Sequence, residues 1–255
     1  MARFTERALV LRRFPYSESS LVVHLLLESG RRVSCMARGA FRPKSRIYGV
    51  FDVFDTLEVQ WTERPSGGLG EVRAAEIKTR RRELTRDLSR YRACHAALEL
   101  SGHAAREEVR EPRLFRATED LLDHVSEEQR VPGVELVAFH LEVLDLLGLA
   151  PALVLCAACG EVAPAVEPGR AAFSAAAGGR LCPNCAARER ASGLRVGTLP
   201  LEVLSGAALL VTTPADQRVF LPPPPAKLFQ ELVDFVDRFL EYHLETRLKT
   251  RLSPT

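Results

Sequence analysis

No apolar run in these 255 residues approaches the roughly 20 that a bilayer-spanning helix needs, so the sequence offers no membrane span. Arg3, Glu6 and Arg7 precede only a short apolar stretch, Ala8 to Leu11, which lacks the long hydrophobic core of a signal peptide. The chain is therefore expected in the cytoplasm. There is no Gly-x-x-x-x-Gly-Lys loop to cradle nucleotide phosphates and no Gly-x-Ser-x-Gly elbow to carry a nucleophile. Cysteine is scarce: in a cytoplasmic chain the 6 cysteines are expected as metal ligands or free thiols rather than disulfides. Net charge is nearly absent at +2, but the balance hides an asymmetry. Residues 1 to 92 hold 19 Lys+Arg against 11 Asp+Glu, residues 93 to 150 hold 5 against 12, and the remainder 11 against 10. A basic head and an acidic middle suit two kinds of partner, of which only the head meets a polyanion.

The 46% of hydrophobic residues is enough to build real cores. In the basic head, five strands are expected around Ala8 to Phe14, Leu21 to Leu27, Arg31 to Arg38, Val50 to Trp61 and Leu69 to Lys78. Ser29-Gly30 and Pro65-Ser66-Gly67-Gly68 supply turns. Five short strands with no helix between them favour a small closed barrel, because closure removes exposed edges, and the OB-fold fits over residues 1–80. In the third strand Val33, Cys35 and Ala37 point one way and Arg32, Ser34, Met36 and Arg38 the other. Gly39 then breaks the strand into a loop bearing Arg42, Lys44 and Arg46, with no acid from Arg31 to Arg46. Such crowded cations repel one another unless polyanion is near, and Arg matches phosphate in shape as well as charge. Arg31, Arg32, Arg38, Arg42, Lys44 and Arg46, with Arg12 and Arg13 on the first strand, are the expected DNA contacts; a solvated hairpin is the alternative. Phe14, Tyr16, Phe41, Tyr48 and Trp61 are the aromatics available for base stacking, most of them expected in the core. The run Lys78 to Arg82 marks the exit from the barrel, as a further basic surface or a solvated linker.

From Glu83 the period turns helical. Leu84, Leu88, Tyr91, His95 and Leu98 form one stripe of a helix ending near Gly102, with His95 expected as a satisfied core histidine. Pro112 opens a second helix that faces Leu114, Phe115, Leu121, Leu122 and Val125 inward. A third, Val134 to Leu147, is apolar nearly all round and is placed at the centre of a helical bundle over residues 83–150. A short helix over Leu199 to Leu210, a stop at Pro222 to Pro225, and a long final helix complete the chain. The final helix presents Leu228, Leu232, Phe235, Val236, Phe239 and His243, with Arg247, Lys249 and Arg251 at its end, and is expected to pack on the acidic bundle.

The most specific signal lies between. Cys156-Ala-Ala-Cys159 and Cys182-Pro-Asn-Cys185 are two Cys-x-x-Cys knuckles separated by 22 residues. Two residues between thiolates let both sulfurs meet one tetrahedral ion at about 2.3 Å, and two knuckles complete its shell. The predicted module, residues 151–195, is too poor in apolar residues to hold a core unaided, so one structural zinc ion (Zn2+) per chain is expected on Cys156, Cys159, Cys182 and Cys185. Cys35 and Cys94 read as buried apolar residues. A zinc deaminase, with His140-Leu-Glu142 before a Cys pair, fits poorly: His140 sits in the apolar helix and the second pair would have no work. The expectation is an α+β multidomain protein that is not an enzyme: an N-terminal small β-barrel (OB-fold), a central and C-terminal α-helical bundle, an inserted four-cysteine zinc module, and C-terminal helices from residue 196 to 255.

This order of parts resembles the RecO family of recombination mediators. The matching stretches are Ala8-Leu-Val-Leu-Arg-Arg with Tyr16-Ser-Glu, Gly30, Ala37-Arg-Gly, Lys44-Ser, Leu69-Gly-Glu and Ala75-Glu. Further on come Gly148-Leu-Ala-Pro, Cys156 to Gly160, Phe173-Ser, Gly178-Gly leading into Cys182, His243-Leu and Leu248-Lys-Thr-Arg. The resemblance implies a nucleoid-associated DNA repair protein that binds single- and double-stranded DNA and anneals complementary strands. It also implies work with RecR, contact with the single-stranded DNA-binding protein and indirect help in loading RecA, and it transfers no catalytic residue. An acidic protein tail would dock on the middle region, where Arg106, Arg110, Arg113 and Arg116 are the nearby cations. The competing class is a zinc-ribbon transcription or assembly factor acting mainly through protein contacts.

Overall fold

The computed structural model describes residues 3–63 and 68–250, so the expected turn at Pro65 to Gly67 and the terminal cation Arg251 lie outside the described residues. Five strands, β1 (Arg3–Ser17), β2 (Ser20–Leu27), β3 (Arg32–Ala37), β4 (Thr56–Thr62) and β5 (Gly70–Thr79), close in the order β1-β2-β3-β5-β4. The first strand pairs antiparallel with both β2 and β4, while β3 meets β5 in parallel; this is the expected OB-fold. Alternation decides what fills it: Ala8, Val10, Val23, Leu25, Val33, Cys35, Leu57, Val59 and Trp61 all point into one core. Each large side chain so buried contributes about 1.5–3 kcal/mol. Trp61, fully buried and stacked on Phe4 at 5.5 Å, is thereby removed from the stacking aromatics.

The fourth strand starts at Thr56 rather than Val50. Phe54 adopts a left-handed φ of 76°, which stops the extended run. Its ring is buried against Tyr91 and His95, at centroid distances of 5.6 and 4.9 Å, and the next residue, Asp55, accepts the Arg81 N–H at 3.0 Å. Phe54 is therefore held by the following helix, on the opposite parity to the barrel interior.

A 3-10 turn (Arg82–Thr85) leads into α1 (Leu88–Ala104) and α2 (Pro112–Ser126). Asp87 caps α1 by accepting the Arg90 N–H, and Pro112 opens α2 at its first turn. Leu114, Phe115, Leu121, Leu122 and Val125 are buried as expected. The stripe foreseen for α1 is buried in part: Leu98 is buried, as is Leu84 in the preceding turn, but Leu88 and Tyr91 are exposed. Ala93, Ala96, Ala97, Leu100 and Ser101 are buried beside Leu98, because α1 is covered both by the barrel's first strand and by α2. Small residues permit that double approach, and Ser101 meets Thr118 of α2 hydroxyl to hydroxyl at 2.8 Å. His95 is in this core with its charge disfavoured by burial, though its Nε2 finds no hydrogen-bond partner. Barrel, α1 and α2 together make one compact unit ending at Pro132.

The second unit begins at Gly133 and so divides the chain within the expected 83–150 bundle. It holds α3 (Pro132–Leu146), β6 (Arg170–Ser174), β7 (Gly179–Leu181), α4 (Pro183–Ala191), β8 (Gly197–Pro200), α5 (Leu201–Thr212), a 3-10 turn (Ala215–Phe220) and α6 (Ala226–Leu244). The three strands form a small sheet in the order β7-β6-β8. The apolar circumference of α3 is matched by burial from Glu135 to Leu141. In this unit α6 packs along α5 and meets α3 where His140 Nδ1 lies 3.6 Å from Asp237 Oδ1. Burial pushes His140 down to about 3, so it stays neutral there. Phe173, Phe235 and Phe239 pack ring to ring beneath β6, with edge-to-face centroid distances of 5.2 and 5.9 Å from Phe173.

Gly30, between β2 and β3, has φ +82° and turns the chain directly beneath Glu111, where a Cβ would fall inside the Glu111 backbone. Gly30→Ala is thus expected to lower the unfolding free energy by at least about 1–3 kcal/mol from backbone strain alone. A urea denaturation curve with an unchanged midpoint would contradict that close approach.

Candidate nucleic-acid interface and metal centre

Three loops of the barrel meet around one groove of about 900 Å3. The turn between β1 and β2 supplies Tyr16, Ser17, Ser19 and Ser20, and the end of β3 and the loop behind it supply Met36, Arg38, Gly39, Arg42, Lys44 and Ser45. The approach to β5 adds Leu69, Gly70 and Glu71. The connections between strands 1 and 2 and between strands 4 and 5 are those by which OB-folds generally grip oligonucleotides. The long β3–β4 loop is kept open by a chain of short turns: Arg42 N–H donates to Gly39 O at 2.9 Å, Ser45 N–H to Arg42 O at 2.8 Å and Tyr48 N–H to Ser45 O at 3.1 Å. Ile47 and Val50 are buried as its anchors, leaving Phe41 and Tyr48 exposed.

The structure sorts the eight expected DNA contacts. Arg42, Lys44 and Arg46 are exposed on the loop, and among the described residues no ion pair engages them. Arg12 is likewise exposed, on the outer face of β1. Arg38 reaches Glu71 at 3.4 Å across open solvent, a contact of little strength. Three others are engaged within the fold. Arg13 donates to Phe51 O at 2.9 Å and pairs with Asp52 at 3.2 Å. Arg31 donates to Glu107 O at 2.8 Å and pairs with Glu63 at 3.2 Å. Arg32 donates to Gly102 O at 3.0 Å, at the end of α1.

Of the Lys78 to Arg82 run, Arg82 is exposed while the other three cations are engaged. Lys78 is held by Glu58 and Glu76, Arg80 lies 3.4 Å from Asp55, and Arg81 is buried at 3% exposure in a cage of acceptors. Of the four cations foreseen for an acidic tail, Arg113 is tied to Glu111 by bonds of 2.8 and 2.7 Å, while Arg106, Arg110 and Arg116 are exposed. All four lie in the barrel's own unit. Sequence reasoning missed Ser17, Ser19, Ser20 and Glu71 as groove residues; their only signal was membership of the connections that an OB-fold brings together.

The four cysteines of the paired knuckles converge, with their Sγ atoms all within 4.8 Å of one another. In the first knuckle Cys156 N–H donates to Glu161 O at 2.8 Å and Gly160, at φ +74°, closes the turn back onto Cys156 O at 2.8 Å. The second is set by β7 and by α4, of which Cys182 is the cap, its sulfur accepting the Cys185 N–H at 3.5 Å. Ala157 N–H donates to Arg180 O at 2.8 Å and joins the two. Burial works against ionisation of Cys156, yet backbone hydrogen bonds from Cys182, Ala158 and Cys159 outweigh it and hold the thiol at about 6. Cys185 is pushed up to about 12, first by its hydrogen bond to Cys182. Four sulfurs about a tetrahedral ion at bonds of about 2.3 Å stand roughly 3.8 Å apart, so this group could hold a metal ion after a small contraction. His140 does not belong to the cluster.

The sequence profile described as "Recombination protein O C terminal" matches residues 85–252, and that described as "Recombination protein O N terminal" matches residues 1–81. A protein of Myxococcus xanthus named "DNA repair protein RecO" is 30% identical over 250 residues, covering 98% of this chain and 96% of its own. One of the same name from Anaeromyxobacter sp. (strain K) is 32% identical over 255 residues, covering 98% and 95%. A third, from an Exiguobacterium species, is 31% identical over 176 residues, 68% of this chain.

The purified protein is expected to carry one metal ion per chain, measurable by elemental analysis, with the four knuckle thiols protected. Chelation should unfold the module, undo the contacts that push Cys185 up, and so release those four to a thiol reagent at pH 8. Cys35 and Cys94, each pushed up to about 12 chiefly by burial, should stay unreactive in the folded chain, since only about one in ten thousand would then be thiolate. Well under one equivalent of metal, with all four knuckle thiols open from the start, would contradict the site.

Proposed function

Because this chain belongs to the RecO family, we propose that it is a non-enzymatic mediator of recombinational DNA repair that binds single- and double-stranded DNA and anneals complementary strands. The observation that carries this reading is the trio Arg42, Lys44 and Arg46 on one exposed loop, without an ion pair among the described residues, the first two lining a groove of the kind by which OB-folds hold polyanions. Pairing two polyanionic strands requires their mutual repulsion to be screened, and these side chains carry charge that nothing among the described residues neutralises. Contacts of this kind grip phosphate and read no base, which suits a protein that must act on any sequence. The four cysteines support a structural zinc ion: four thiolates saturate the metal and leave no open position for catalysis. RecR, the single-stranded DNA-binding protein and, indirectly, RecA are the proposed partners, with Arg106, Arg110 and Arg116 available to an acidic tail.

Replacement of Arg42, Lys44 and Arg46 together by Ala should lower the slope of log affinity against log salt by about 0.7 per lost contact on single strands and about 0.9 on duplex. The loss should be the same for every sequence, and annealing should slow with it. A folded triple variant with wild-type slope and annealing rate would make the loop a solvated hairpin.

A further inference from the structure

The groove has a second end. A smaller cavity of about 240 Å3 lies between the barrel wall and α1, lined by Arg12, Phe14, His24, Arg32 and Ser34 on the barrel side and by Leu98, Gly102 and His103 on the helix. The outward face of β3 runs from one cavity to the other: Arg32 and Ser34 line the small cavity, Met36 and Arg38 the large groove. The first strand does the same, with Arg12 and Phe14 at one cavity and Tyr16 at the other. Strand register locks these residues into rows, Arg12 beside His24 beside Ser34, and Phe14 beside Val22 beside Met36. On this face Phe14 is 46% and Tyr16 68% exposed, large rings left in water on strands of a barrel that hides Trp61 completely.

We propose that this face is the track of a single nucleic-acid strand, with Phe14 and Tyr16 as base-stacking platforms and Arg12 as a phosphate contact at its far end. This deepens the reading of the barrel as a DNA-binding domain and rests on it. The six residue steps from Arg32, where β3 begins, to Arg38, just past its end, span about 20 Å at about 3.3 Å per residue, room for the lower end of the 4 to 16 nucleotides that one OB-fold typically covers. The phosphate side of the track is supplied at both ends, by Arg12 at one and by Arg38, Arg42 and Lys44 at the other, while the middle row offers only apolar and ring surface. At the Arg12 end, burial first and then Arg32 and Arg12 hold the His24 imidazole below its usual range, with Glu107 acting the other way. Glu99 and Glu107, on the far wall of the small cavity, close the track to phosphate beyond Arg12. Phe14 is steadied by an edge contact to His24 at 5.5 Å, whereas Tyr16 stands free at the turn.

Stacking and phosphate contact leave different signatures. With a labelled oligothymidine followed by fluorescence anisotropy across a salt series, the Phe14→Ala/Tyr16→Ala variant should lose about tenfold or more in affinity per ring at every salt concentration. Its slope against log salt should stay at the wild-type value, while Arg12→Ala should lower that slope by about 0.7. Because both rings are exposed, thermal unfolding of the double variant should match wild type, which certifies the fold. A folded double variant that binds as tightly as wild type overturns the track and leaves the loop cations as the site. A wild-type chain that binds no single strand overturns the barrel reading and the track together.

Discussion

Arg81 is the cation on which the first unit depends. It enters as the chain leaves β5, and its side chain is 2% exposed. Its backbone N–H goes to Asp55 Oδ1 at 3.0 Å, Nη1 to Phe54 O at 2.7 Å and Thr56 Oγ1 at 3.0 Å, and Nε to Asp123 on α2 at 2.7 Å. Glu119, one turn earlier on α2, accepts from Thr56 at 2.7 Å and pairs with Arg7 of β1, whose guanidinium also lies over the Phe115 ring. Three barrel strands and a helix thus meet at one set of charges. A buried ion pair adds little by itself, but leaving one partner alone typically costs about 3–5 kcal/mol, so the group specifies a single arrangement of barrel and helices.

That arrangement divides the arginines by task. Those that donate to carbonyls or carboxylates of other elements, Arg13, Arg31, Arg32 and Arg81, fasten loops and helices to the barrel. Those on the β3–β4 loop have no such partner in the described structure and face outward. The same residue type with the same local density therefore serves two ends, and only the position of acceptors decides which. In the second unit the analogous constraint is the cysteine cluster, whose apolar surroundings are Ala163, Ala172, Leu181 and Ala186, too small a core to hold the module unaided.

Much of this was legible in the sequence because it rests on periodicity and spacing. Alternation in Leu57 to Trp61 and in Val33 to Ala37 identified strands, and paired Cys-x-x-Cys spacing identified the four convergent sulfurs. What escaped depended on residues far apart in the chain. Arg81 stands in a run of like charges that reads as surface, and nothing local announces Asp55, Thr56 and Asp123 as its acceptors. Phe54 continues an apolar pattern and gives no sign of its left-handed φ, which is set by the pocket that Tyr91 and His95 make for it. The α1 stripe failed at Leu88 and Tyr91 because a helix covered on two sides buries its alanines, which hydropathy weighs lightly, and leaves those two exposed.

The central claim is that a sequence-blind cationic surface on the barrel lets this protein hold strands together. Fluorescence-monitored annealing of complementary oligonucleotides, run with and without unlabelled competitor duplex, tests it most directly. The proposed role predicts pairing faster than the uncatalysed rate, weakening as salt rises, and equal for unrelated sequences. No acceleration at low salt, or a marked preference for one duplex sequence, would contradict it.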